Sequence, residues 1–188
     1  MIRVPYNKVF FTSDTHFFHK NIIKYCDRPF NDVNEMNEAI ITLWNETVPK
    51  NGVVFHLGDV CFGGKEKWES MISQLNGDIY LIKGNHDMEH PPQNLFKGVY
   101  DQLMIIVEGE IPEQKVFMHH FPFITWPEQS RGCWMLYGHT HQNDAVNTNW
   151  LNKLSSGQLN IGMDNNNYCP FSFQEVKERI TKNYIQNA

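Results

Sequence analysis

The stretch Ile79–Asp87, IYLIKGNHD, decides how this chain is read. Its apolar start reads as a buried strand, Ile79–Lys83. Gly84 then lets the backbone turn sharply and come close to a ligand. Asn85, His86 and Asp87 follow with an amide oxygen, an imidazole and a carboxylate. Such groups bind metals or move protons. One run of this kind says little, but a strand leading into a polar cluster occurs five times in the chain.

Upstream, Lys8–Ser13 reads as a short strand ending in Asp14-Thr15-His16, and Val53–Leu57 as one ending in Gly58-Asp59. Downstream, Lys115–Met118 leads into His119-His120, and Trp134–Tyr137 into Gly138-His139-Thr140-His141. In extended chain, residues two apart point the same way. Asp14 with His16, and His139 with His141, can therefore aim at one centre. The collected set is Asp14, His16, Asp59, Asn85, His86, His120, His139 and His141. It mixes carboxylate, imidazole and amide with no thiolate, which suits Mn²⁺, Fe²⁺, Zn²⁺ or Ni²⁺ rather than Ca²⁺. The set is larger than one tetrahedral site needs, so two divalent metal ions are expected, with Mn²⁺ the first choice. Such a pair, about 3.5–4 Å apart, activates a bridging hydroxide and clamps a phosphoryl oxygen.

Between these strands the pattern turns helical. Val33, Met36, Ile40, Leu43 and Val48 keep helical spacing over about 32–48, and Asp32 with Glu35 looks like a capping box. Trp68, Met71, Ile72 and Leu75 mark a second helix that Asn76-Gly77 stops. Residues 88–98 read as loop or short helix. Val99–Glu108 and Lys115–Met118 read as a strand pair turning at Gly109–Glu113. The polar stretch 142–158 has no clear period. Leu159–Met163 is a last short strand, and Ser172 with Glu175 opens a helix through Val176, Ile180 and Tyr184. Strands alternating with helices, then clustered strands, give an α/β layered fold. Ligands in such folds sit beyond the carboxyl ends of strands.

The 188 residues fit one domain, 1–188. A net charge of -5 and the lack of a basic stripe argue against a dedicated binder of long nucleic acid. Cys26, Cys61, Cys133 and Cys169 form no C-x-x-C pair and read as free thiols of a reducing compartment. No stretch reads as a signal peptide or a membrane span. A cytoplasmic location and no membrane partner are expected.

In order, D-x-H, G-D, G-N-H-D, a lone His and G-H-x-H resemble the calcineurin-like metallophosphoesterase superfamily. Here they stand as Asp14-Thr15-His16, Gly58-Asp59, Gly84-Asn85-His86-Asp87, His120 and Gly138-His139-Thr140-His141. Phe11–Ile23, Arg28-Pro29-Phe30 and Asn160–Asp164 are similar to a bacterial and phage subgroup of small phosphoesterases. The resemblance implies two β-sheets packed face to face with helices outside. It implies that Asp14, His16, Asp59 and His141 hold one metal ion. Asp59 would bridge to a second, completed by Asn85, His120 and His139. A bridging hydroxide would attack phosphorus in line, His86 would protonate the leaving oxygen, and Asp87 would orient and polarise His86. His120 is preferred to His119 because His120-Phe121-Pro122 matches the family's H-x-P. Where many members carry a further Asp after G-D, this chain has Val60-Cys61-Phe62-Gly63. Asp164 is placed behind a ligating histidine.

His19, Asn21 and Arg28 are the candidates for substrate contact. Arg28 would fork onto a phosphate oxygen, or else pair with a surface carboxylate. Phe17, Phe18, Phe121, Phe123 and Trp126 adjoin the motifs, as core or as stacking surfaces for a base. His56, inside a strand, is expected to be structural. The expected activity is hydrolysis of a small or nucleotide-like phosphodiester. The alternatives are a phosphomonoesterase of the same mechanism, a nuclease, and a non-catalytic binding protein on this fold.

Overall fold

A computed structural model of the chain describes residues 1–141 and 156–186. Ten strands form two five-stranded sheets. One sheet runs β10 (Phe171–Ser172), β2 (Val9–Thr12), β3 (Val53–His56), β4 (Asp78–Ile82), β5 (Gly98–Tyr100). Its β2 to β5 are parallel. The other runs β1 (Ile2–Pro5), β6 (Gln102–Glu108), β7 (Gln114–His119), β8 (Trp134–Tyr137), β9 (Gln158–Asn160). There β7, β8 and β9 are parallel.

The side chains of these short strands alternate between two cores, as the period of 2 requires. Phe11, Phe55 and Ile82 face the other sheet and pack with Ile105, Val116, Met118 and Leu136. Phe10, Val54, Ile79 and Leu81 face the opposite way, against helices. Those helices are α1 (Lys20–Tyr25), α2 (Val33–Thr47) and α3 (Lys65–Ile72). They bury Ile22; Met36, Ile40 and Trp44; and Trp68, Met71 and Ile72. The outer face of the second sheet carries Phe117, Met135 and Tyr137, covered by Trp126 and Phe123 of the loop after β7. Helix α4 (Phe173–Gln186) adds Phe173, Val176 and Ile180 to the core between the sheets.

Helix starts follow local chemistry. The Asp32 carboxylate accepts the Asn34 and Glu35 amides, 2.8 and 3.0 Å. Glu35 reaches back to the amide of Asn31 rather than Asp32, 2.8 Å. At α4, Ser172 and Glu175 exchange the two bonds of a capping box.

Several boundaries differ from the sequence reading. Val99–Glu108 is cut at Asp101, so that β5 pairs with β4 in one sheet and β6 with β1 and β7 in the other. A hydrophobic run records a strand but not a change of partner. Helix α1 follows Asp14-Thr15-His16, where the sequence reading placed no helix, and β1 and β10 are too short for a periodic signal. Of the polar stretch 142–158, residues 142–155 lie outside the described residues.

His56 closes β3 fully inside the protein. Its Nδ1 accepts the Gly58 amide at 3.2 Å, so its Nε2 carries the proton and meets Thr15 Oγ1 at 3.1 Å. Thr15 Oγ1 in turn donates to the Val60 carbonyl, 2.8 Å. The network has no place for a second ring proton. Burial accordingly pushes the imidazole down to about 3. Above the ordinary histidine range neither folded nor unfolded chain binds this proton. Below about 6.5 only the unfolded chain does, and stability falls by about 1.4 kcal/mol per pH unit towards pH 3. Urea unfolding at pH 8 and pH 5 should show that loss, roughly 2 kcal/mol for this residue. His56→Gln should flatten the dependence by that amount, and an unchanged slope would contradict the assignment.

Candidate metal centre

The motif residues gather at the carboxyl ends of β2, β3, β4, β7 and β8. Backbone bonds lock these ends together. The Asp14 amide donates to the Gly58 carbonyl (2.9 Å), that of His16 to Asp59 (3.0 Å), and that of Gly138 to His120 (2.9 Å). A parallel bridge joins Ser13 to Gly162. The approach is close: a Cβ on Gly84 would overlap the Asp59 carboxylate and amide, and one on Gly138 would overlap the side chains of Ser13 and Asp14. Asp14, His16, Asp59, His139 and His141 all adopt positive φ, between 48 and 68°. Side chains other than glycine rarely take this conformation, so strain is concentrated where these groups converge.

The motif residues form two donor groups, and a third set, Cys26, His141 and Asp164, shares His141 behind the first. Ligand atoms of Asp14, His16 and His141 lie within 4.8 Å of one another, and so do those of Asp59, His120 and His139. Asp59 stands between them: Oδ2 is 3.6 Å from His16 Nε2, and Oδ1 is 3.5 Å from His120 Nε2. Asn85 Oδ1 joins the second group, 3.0 Å from His120 Nε2.

Second partners fix which ring nitrogen faces each group. His120 Nδ1 donates to the Leu57 carbonyl at 2.6 Å, leaving Nε2 for the centre. His141 Nδ1 donates to Asp164 Oδ2 at 2.7 Å, again freeing Nε2. His16 has no such partner. It is 2% exposed, and among the described residues neither of its ring nitrogens has a hydrogen bond. Burial pushes it down to about 2, so it is a neutral imidazole facing carboxylates. A buried polar atom without a partner costs on the order of 1–3 kcal/mol. A cation coordinated at Nε2 removes that cost, and the residues present fit a divalent metal.

The carboxylates fit as well. Burial first, and then the charge of Asp59, push Asp14 up, opposed by His141 and His120. Burial would also raise Asp59, but the hydrogen bond and charge of His120, the His86 amide and His16 hold it below its ordinary value.

Behind the first group lies a buried ion pair. Arg28 donates Nε and Nη2 to the two oxygens of Asp164, 2.8 and 3.1 Å. It also donates to the carbonyls of Asp14 (2.7 Å) and Thr15 (3.0 Å). Both side chains are almost wholly buried, at 0% and 1% exposure. Arg28 therefore faces neither solvent nor a substrate phosphate, and the expectation of substrate contact is corrected. Its five hydrogen bonds, the fifth to Met36 Sδ at 3.5 Å, are made inside the protein, with a buried carboxylate rather than a surface one.

Asp87 also differs. Both oxygens accept main-chain amides: Gly84 (2.7 Å), Asp59 (3.0 Å) and Val60 (2.8 Å). No hydrogen bond joins it to His86, so it shapes the turn instead of polarising that ring. Of the adjacent histidines, His120 faces Asp59. His119 accepts the Phe121 amide and packs on Phe123.

A cavity of ≈ 490 Å³ opens onto both groups. It is lined by His16, Asp59, His86, His139 and His141, with His19, Ile22, Tyr25, Cys26 and Phe62. His19 thus faces it as expected, whereas Asn21 is exposed on α1 and does not line it. Phe17 and Trp126 are core. Phe62 and Tyr25 were not singled out in the sequence, where both read as ordinary aromatic residues.

The family model described as calcineurin-like phosphoesterase matches residues 7–156. The chain belongs to that family. As a calcineurin-like phosphoesterase it is a metal-dependent phosphoric ester hydrolase, and the two donor groups are its candidate ligands. An uncharacterized protein of Methanocaldococcus jannaschii is 31% identical over 180 residues, covering 95% of this chain and 94% of that protein. The Gene 66 protein of Mycobacterium phage D29 is 28% identical, over 84% of this chain and 88% of its own. The fold matches the crystal structure of a protein of unknown function from Aquifex aeolicus, with a TM-score of 0.69 and 24% identity. That match covers 90% of this chain and 97% of the other. In the described residues no helix is long and apolar enough to cross a membrane.

Replacing Asp164 by Asn keeps its shape but removes the charge that fixes His141. Divalent-ion affinity, measured by calorimetry, should fall about 10–100-fold. Arg28→Met leaves Asp164 buried without its cation and should cost about 3–5 kcal/mol of stability as well. Wild-type affinity in both variants would contradict the role of this pair.

Proposed function

We propose that the protein is a phosphodiesterase that works with two divalent cations, Mn²⁺ foremost, on a small or nucleotide-like ester. The observation carrying this reading is the partnerless, buried His16 facing Asp59, a carboxylate shared by two donor groups. Asp14, His16 and His141 would hold one cation, and Asn85, His120 and His139 the other, with Asp59 common to both. When bound, such ions lower the pKa of water and neutralise charge building on phosphoryl oxygens.

The chain's own residues supply the rest. His86 is exposed beside these groups, and its amide is held by Asp59 Oδ1 at 2.9 Å. Its imidazole would give a proton to the leaving oxygen as the P–O bond breaks. Asp87 fixes the turn that carries it. His19 would contact the ester. Diester over monoester is favoured by the cavity lining, which includes no Lys or Arg among the described residues. A monoester dianion brings one more charge to be neutralised than a diester does.

Rates on bis-p-nitrophenyl phosphate and p-nitrophenyl phosphate in Mn²⁺, for wild type and His86→Ala, test this. Faster diester turnover is expected, with kcat reduced about 10²–10⁴-fold in the variant at unchanged metal content. Preference for the monoester, or an unaffected His86→Ala, would overturn the reading.

A further inference from the structure

A row of aromatic rings leads away from the donor groups. His86 lies 5.4 Å from Phe62, centroid to centroid. Phe62 stacks on His19 at 3.9 Å with only 7° between the planes. His19 meets the edge of Tyr25 at 6.2 Å. Tyr25 is 63% exposed, so the row ends at the surface. All four rings line the same cavity, with Ile22 and Cys26 beside them. This wall carries no formal charge of fixed sign. The nearest arginine, Arg28, is spent on Asp164, and Lys67 lies over Phe18.

Among the described residues such a wall offers no lysine or arginine to further phosphates, and its main surface is the Phe62–His19 pair of flat rings. It suits a flat apolar group, because ring-on-ring contact needs shape and little hydrogen bonding. We infer that Phe62 and His19 form a binding platform for a planar aromatic ring on the phosphodiester substrate, a nucleoside base or an aryl group. This inference rests on the proposed phosphodiesterase reading and names the substrate class for that cavity. Phe62 follows Gly58-Asp59 by three positions, so the turn that carries Asp59 also sets this ring against the cavity. The same ring touches His86, so a bound aromatic group and the proton donor share one wall.

The test measures binding rather than turnover of the bound compounds. Diethyl phosphate, diphenyl phosphate and a thymidine dinucleoside monophosphate are titrated into the Mn²⁺-loaded protein by calorimetry and as competitors of bis-p-nitrophenyl phosphate. The aromatic diesters should bind about tenfold or more tighter than diethyl phosphate, as expected for one stacked ring. In Phe62→Ala the gap should close, and in Phe62→Trp it should persist, each protein having its metal content measured. The dinucleoside binding more tightly than diphenyl phosphate would identify a base, and the reverse an aryl group. Equal affinities in wild type, or a gap untouched by Phe62→Ala, would overturn the platform. No hydrolysis of bis-p-nitrophenyl phosphate would instead count against the phosphodiesterase reading, and calorimetry would still decide the platform.

Discussion

The buried ion pair of Arg28 and Asp164 ties the centre to the fold. The two residues are 136 positions apart and meet at 2.8 Å. One guanidinium holds Asp164, which fixes His141, and also holds the carbonyls of Asp14 and Thr15. Asp14 and His141 of one donor group, and Thr15 beside His16, are therefore tied to a single cation. Burial alone would favour the neutral acid at Asp164, but His141 and Arg28 hold it ionised. A buried pair of this kind adds little net stability against an apolar substitute, yet losing one partner is costly. Its value here is geometric.

The second constraint is backbone strain at the converging groups. Asp14, His16, Asp59, His139 and His141 sit at positive φ because each strand must end abruptly and turn its side chain inward. That conformation persists only where the surroundings over-determine it. Here the surroundings are the packed core between the sheets, the Asp87 carboxylate on three amides, and the tight meeting of Gly58, Gly84 and Gly138 with their neighbours. The hydrophobic core thus works on function indirectly. It holds strained strand ends in register so that imidazoles and carboxylates face one another.

The α/β layering and the polar cluster were legible because both leave local marks, whereas the two sheets packed face to face were expected only from the family resemblance. IYLIKGNHD shows a buried run, a turn and a polar set within nine positions, and Asp32 and Ser172 announce their helices. What could not be read depends on distant partners. Nothing near Arg28 indicates that Asp164 will take its guanidinium. The spacing of Gly84-Asn85-His86-Asp87 places Asp87 beside His86, but the turn aims its carboxylate at the amides of Asp59 and Val60. Val99–Glu108 stays apolar across Asp101 while its pairing passes from one sheet to the other. Phe62 reads as an ordinary apolar residue until α1 brings His19 onto its face.

The central claim is that Asp59 is shared by two cations. Anomalous diffraction at the manganese edge, from a crystal grown with Mn²⁺, tests it most directly. Two peaks about 3.5–4 Å apart, with Asp59 between them, are the expected result. A single peak, or peaks away from Asp59, would contradict the account.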